Sequence, residues 1–188
     1  MPTDLVFILD RSGSMEPVKQ QVIEGFNALL ESQKNGQVSL TLVLFDDQYE
    51  LIHNGLPLER VRPLNGETFR PDGTTALLDA IGETLDTLDV RLGQLPQDPE
   101  QVIVAVLTDG TDDASVNYTR KAIAGLIRNR QEERNWVFLL VASSRNITQV
   151  TEDLSLPVEN TMDFVHTGES VLHALDRLDD HIRELRSR

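Results

Sequence analysis

The chain has no cysteine in 188 residues, which excludes a disulfide framework, a thiolate metal site and a cysteine nucleophile together. It is also short of positive charge: 17 lysines and arginines stand against 31 aspartates and glutamates, for a net charge of -14. Such a surface repels a phosphate backbone and an anionic membrane, so neither nucleic acid nor a lipid surface is an expected partner. The acidity reads first as solubility, and second as a rim that gathers cations. No run approaches the roughly 18 apolar residues of a spanning helix. The opening MPTDLVFILD lacks the basic start and small-residue cleavage site of a signal peptide, so the expected location is cytoplasmic. No internal repeat of about 20 to 50 residues is present, which removes solenoids and propellers. Neither a Gly-x-Gly-x-x-Gly fingerprint nor a phosphate-loop lysine motif occurs, which disfavours the common nucleotide sites.

What is present is the material of one globular core. Hydrophobic residues make up 39% of the chain, and the length suits a single domain over 1–188. Leu5 to Leu9 is a short, unbroken, branched apolar run ending at Asp10, as in a strand buried on both faces of a parallel sheet. Val18, Val22, Ile23, Phe26, Leu29 and Leu30 then recur at helical spacing, opened by Pro17 and closed by Asn35-Gly36. A strand from Val38 to Phe45 and an edge strand from Tyr49 to Ile52 would pair as a hairpin across Asp46-Asp47-Gln48.

Residues 57 to 74, with Pro57, Pro63, Gly66, Pro71 and Gly73, read as a connection into a helix from about Ala76 to Leu92. Val102 to Leu107 is the most apolar segment and the expected central strand, again closed by an aspartate, Asp109. A helix from about Ser115 to Arg130, a strand Trp136 to Val141, a short helix Ile147 to Asp153, a strand Met162 to Val165 and a C-terminal helix complete the pattern. Alternating strands and helices predict an α/β fold: a doubly wound, mostly parallel six-stranded sheet, one antiparallel edge strand, and helices on both faces. Ligands of such sheets bind at the carboxyl ends of strands, where the strand order reverses.

The chemistry-bearing residues fall at those ends. Asp10, Ser12 and Ser14 follow the first strand, and alternate residues of an extended loop point the same way, gathering one carboxylate and two hydroxyls around a point. Gly13 lets the backbone bend between them. Asp109 would add a second carboxylate if its strand lies beside the first, and either Thr74 or Thr75 would bring a hydroxyl from a third loop. An oxygen-only set of few charges suits Mg2+, which keeps several waters and takes one or two carboxylates; Mn2+ and Ca2+ are the other hard ions to consider. Taken singly, each residue is equally at home as a loop, turn or capping residue. Asp113 is placed to precede the helix near Ser115, and Ser143 and Ser144 end a strand, reading first as loop residues and second as a border of the crevice. The four histidines, His53, His166, His173 and His181, show no ligand spacing and read as surface or satisfied core residues.

The ordered set Asp10-Arg11-Ser12-Gly13-Ser14, then Gly73-Thr74-Thr75-Ala76-Leu77, then Leu107-Thr108-Asp109-Gly110 resembles the metal-ion-dependent adhesion site of von Willebrand factor A (vWA) domains, small stand-alone bacterial ones included. The resemblance runs from Leu5 to the C-terminal helix. It implies a Rossmann-like vWA fold and a cation held by Asp10, Ser12, Ser14, Thr75 and Asp109. Thr75 is chosen over Thr74 because the family ligand lies six residues before an apolar helix position, here Ile81. It further implies a binding module rather than an enzyme, with a protein partner whose carboxylate completes the metal shell; oligomeric state is left open. The rival reading is a Mg2+-dependent phosphatase or phosphotransfer domain with Asp10 as nucleophile. Phosphatases of the haloacid dehalogenase type want a second aspartate where Ser12 stands, and both they and phosphate-receiving domains want a lysine that no strand end here supplies.

Overall fold

The structure, a computed structural model, describes residues 2–187. Six strands form one sheet: β1 (Thr3–Asp10), β2 (Val38–Phe45), β3 (Tyr49–Pro57), β4 (Gln101–Thr108), β5 (Val137–Ser143) and β6 (Thr161–Phe164). Their order is β3-β2-β1-β4-β5-β6, with every pairing parallel except β2 with β3. Five helices surround it: α1 (Lys19–Ser32), α2 (Leu77–Leu92), α3 (Arg120–Arg134), α4 (Ile147–Leu154) and α5 (Gly168–Arg186). Among the described residues no helix is long and apolar enough to cross a membrane.

The branched run of β1 is buried at every position because helices cover both faces. Leu5, Phe7 and Leu9 face one side and pack with Phe26, Leu29 and Leu30 of α1 and Leu175, Leu178 and Ile182 of α5. Val6 and Ile8 face the other and meet Ile81, Leu85 and Leu88 of α2 and Ile123 and Ile127 of α3. Phe7 and Phe26 meet edge to face with centroids 5.1 Å apart. Burial of such side chains contributes about 1.5–3 kcal/mol each and fixes which face each helix presents.

β1 sits between β2 and β4, with Leu9 paired to both Leu44 and Leu107. The chain leaves β1 for β2 on one side and comes back to β4 on the other, so the strand order reverses between β1 and β4 and opens a crevice at their carboxyl ends. Asp10 and Thr108 close those two strands, and Asp109 follows directly.

Several boundaries differ from the sequence expectation. A 3-10 turn over Gly13–Val18 precedes α1, so Pro17 lies in that turn rather than in the first turn of the α-helix. The edge strand β3 runs on to Pro57, irregularly, with register shifts against β2. α3 begins at Arg120 rather than near Ser115. The Asp79 carboxylate of α2 accepts the backbone N–H groups of Val116, Asn117 and Tyr118 at 2.8–2.9 Å. Their N–H groups are thereby committed away from a helix, and Thr119 becomes the N-cap, its hydroxyl accepting from Ala122 N at 3.2 Å.

Candidate metal centre

Asp10 is fully buried, and each of its oxygens has a donor: Ser12 N reaches Oδ1 at 2.7 Å and Thr108 Oγ1 reaches Oδ2 at 2.6 Å. The first bond turns the chain sharply after β1 and the second ties the ends of β1 and β4 together. Ser12 Oγ lies 3.2 Å from Ser14 Oγ, and Ser14 Oγ donates to Asp109 Oδ1 at 2.8 Å. Asp10, Ser12, Ser14 and Asp109 therefore form one continuous cluster across the switch point.

The third loop reaches the same place. Gly13 N donates to Gly73 O at 3.1 Å and Asp72 N to Arg11 O at 2.9 Å, lacing the loop before α2 onto the loop after β1. Gly73 takes a positive φ of 69° there, the left-handed region in which a side chain is strained, and a Cβ would strike Asp47 as well. Thr75 is 5% exposed, and a side chain on Gly110 would come within 3.5 Å of its Oγ1, so this hydroxyl lies beside the residue following Asp109. Among the described residues nothing hydrogen-bonds that hydroxyl, although Thr75 N donates to Asp113 Oδ1 at 2.8 Å. Thr74 is exposed. Asp113, expected to cap a helix near Ser115, instead anchors Thr75.

Asp109 is held from further loops as well. Its carbonyl accepts Ser143 Oγ at 2.8 Å and Asn146 Nδ2 at 2.7 Å, and its Oδ2 lies 2.7 Å from His166 Nε2. Thr108, Asn146 and His166 were not among the expected site residues. His166, read as a surface or satisfied core residue, makes a direct contact with the site. Thr108 stood inside the motif, and its role needed the β1–β4 pairing to be seen. Asn146 and His166 carry no spacing signal, because only the packing of the β5–α4 and β6–α5 loops brings them close.

Burial pushes the Asp10 pKa up to about 6; the Thr108 and Ser12 hydrogen bonds pull it down, and the charge of Asp109 adds to the rise. No lysine or arginine pairs with Asp10 or Asp109 among the described residues. Two buried carboxylates without a cation are costly, and hydrogen bonds alone do not remove their mutual repulsion. Among the described residues no group of three or more His, Cys, Asp or Glu gathers as a metal site. The set is instead two carboxylates and three hydroxyls, one of which, that of Thr75, has no hydrogen-bond partner among the described residues. That all-oxygen chemistry fits a hard divalent cation.

No protein-family model matches the chain, and no curated protein matches it in sequence. Solved structures do match. The vWF domain of the type V pili tip protein Mfa5 from Porphyromonas gingivalis superposes with a TM-score of 0.72 at 8% identity, covering 97% of this chain and 95% of that one. The fold is that of a vWA domain. The PilB minor pilin from Streptococcus sanguinis matches 97% of the chain at a TM-score of 0.68 and 13% identity. Proximal thread matrix protein 1 from the mussel byssus, with a zinc-occupied metal-ion-dependent adhesion site, matches 95% at a TM-score of 0.66 and 15% identity. The chain spans 61% of the pilin and 45% of the mussel protein, so its vWA fold corresponds to a part of each.

Proposed function

We propose that this vWA domain is a cation-dependent binding module. Asp10, Ser12, Ser14, Thr75 and Asp109 hold one divalent cation, Mg2+ in the first instance, and the ion takes a carboxylate from a protein partner. The observation that carries this reading is the pair of buried carboxylates, Asp10 and Asp109, set at the switch point with three hydroxyls and, among the described residues, no lysine or arginine paired with them. The zinc-occupied adhesion site of the mussel protein supports a divalent cation in this fold, and the pilus proteins that share it support a protein partner. When bound, the ion supplies a positive centre for an incoming acid. The chain's own contribution is to fix the donors: Thr108 and Ser12 N orient Asp10, Ser14 orients Asp109, and the Gly13–Gly73 bond brings Thr75 to the same crevice.

Phosphoryl transfer is the weaker reading. A nucleophilic Asp10 would need a lysine or arginine to stabilise the transferred group, and among the described residues none pairs with Asp10 or Asp109. Calorimetric titration of Mg2+ into wild type and Asp10→Ala tests the binding reading. Heat is expected from wild type alone, and equal heats from both would sink it.

A further inference from the structure

Asp109 has one hydrogen-bond partner on each carboxylate oxygen, and the two come from opposite ends of the chain. Ser14 Oγ occupies Oδ1 at 2.8 Å, and His166 Nε2 occupies Oδ2 at 2.7 Å. A carboxylate only accepts, so Nε2 carries the proton in this contact. The imidazole is a braced group. Its ring packs at 5.6 Å on that of Phe164, itself 1% exposed, and the loop carrying it is pinned by Thr167 N to Val165 O at 2.6 Å and Val165 N to Ser170 Oγ at 3.0 Å. His166 itself is about one-third exposed, on the rim that an incoming partner would meet.

Resting on the cation-binding reading above, we propose that His166 is a positioning residue that sets how much charge the bound cation keeps for its partner. A cation drawing on Asp109 Oδ2 would share that oxygen's lone pairs with Nε2–H and face the positive end of the same dipole. His166 therefore opposes full use of Asp109 as a ligand. The ion is then less neutralised, and a guest carboxylate is held more firmly. A mere brace for Asp109 has a different signature, because its removal weakens cation and guest together.

The test uses two variants in the whole chain, with Mg2+ and acetate as probes. His166→Phe keeps a ring on Phe164 and loses the N–H; His166→Gln keeps an N–H donor. Mg2+ affinity is read by calorimetry, and acetate binding to the Mg2+-loaded protein by amide chemical-shift titration. His166→Phe is expected to bind Mg2+ several-fold more tightly and acetate about tenfold more weakly, in the range typical of outer-shell changes, with His166→Gln near wild type. Parallel weakening of both, or no change in either, overturns the proposal while leaving the binding reading intact. A wild type that takes up no Mg2+ overturns both.

Discussion

Ser14 Oγ donates a 2.8 Å hydrogen bond to Asp109 Oδ1, joining two residues 95 positions apart across the switch point of the sheet. Ser14 is thus both a candidate ligand and the group that turns Asp109 toward its neighbours. Ser14→Ala should cost about 1 kcal/mol of stability, the usual net worth of one hydrogen bond. Its effect on Mg2+ should be larger, roughly 10- to 100-fold in affinity. Thermal unfolding and calorimetry on the same preparation separate the two effects.

Asp10 makes metal-free stability depend on pH in a defined direction. Its folded pKa is raised from 3.8 to about 6, so between those values the folded state holds a proton that the unfolded state has released. Stability therefore falls as pH rises through this window, by up to about 3 kcal/mol above it. Asp10→Asn removes the titration. In chelator, the variant should be more stable than wild type at pH 7, and that advantage should shrink toward pH 4. For wild type, Mg2+ affinity should drop as pH is lowered through about 6, where protons compete for the same carboxylate. Urea unfolding at several pH values checks the first expectation and calorimetry the second.

The two threonines before α2 should behave differently. Thr75 is buried and its hydroxyl makes no protein hydrogen bond among the described residues, whereas Thr74 is exposed. Thr75→Val keeps the shape and should leave chelated stability nearly unchanged while weakening Mg2+ about tenfold or more. Thr74→Val should do neither. A reversed pattern in calorimetry would move the ligand to Thr74.

Asp79 organises the loop between Asp109 and α3 from a distance. Its carboxylate accepts three consecutive backbone N–H groups, from Val116, Asn117 and Tyr118. Bonds to a charged acceptor contribute roughly 1.5–3 kcal/mol, less where water can substitute. Asp79→Ala should therefore destabilise the domain by about 1–3 kcal/mol. Hydrogen exchange should speed up at residues 116–118 before it does in the strands.

The layering of this fold was legible because its causes are local. Leu5–Leu9 and Val102–Leu107 are continuous apolar runs that only a doubly covered strand accommodates, and α1, α2 and α5 carry apolar stripes at helical spacing. The first turn of α3 was not legible, because the acceptor that holds residues 116–118 out of the helix sits on α2. In the crevice, Asp10, Ser12, Ser14 and Asp109 follow from strand ends and spacing, and the structure brings them together. Thr108, Asn146 and His166 depend on which strands and loops become neighbours, and a lone histidine between Phe164 and Thr167 carries no pattern that points to Asp109.

Where the cation sits is the central claim, and anomalous scattering tests it most directly. Crystals grown with MnCl2 and measured at the manganese edge should show one strong anomalous peak bounded by Asp10, Ser12, Ser14, Thr75 and Asp109. Crystals of Asp10→Ala grown in the same way should lack it. A principal peak elsewhere on the acidic surface, or a peak at this crevice that persists in Asp10→Ala, would contradict the account.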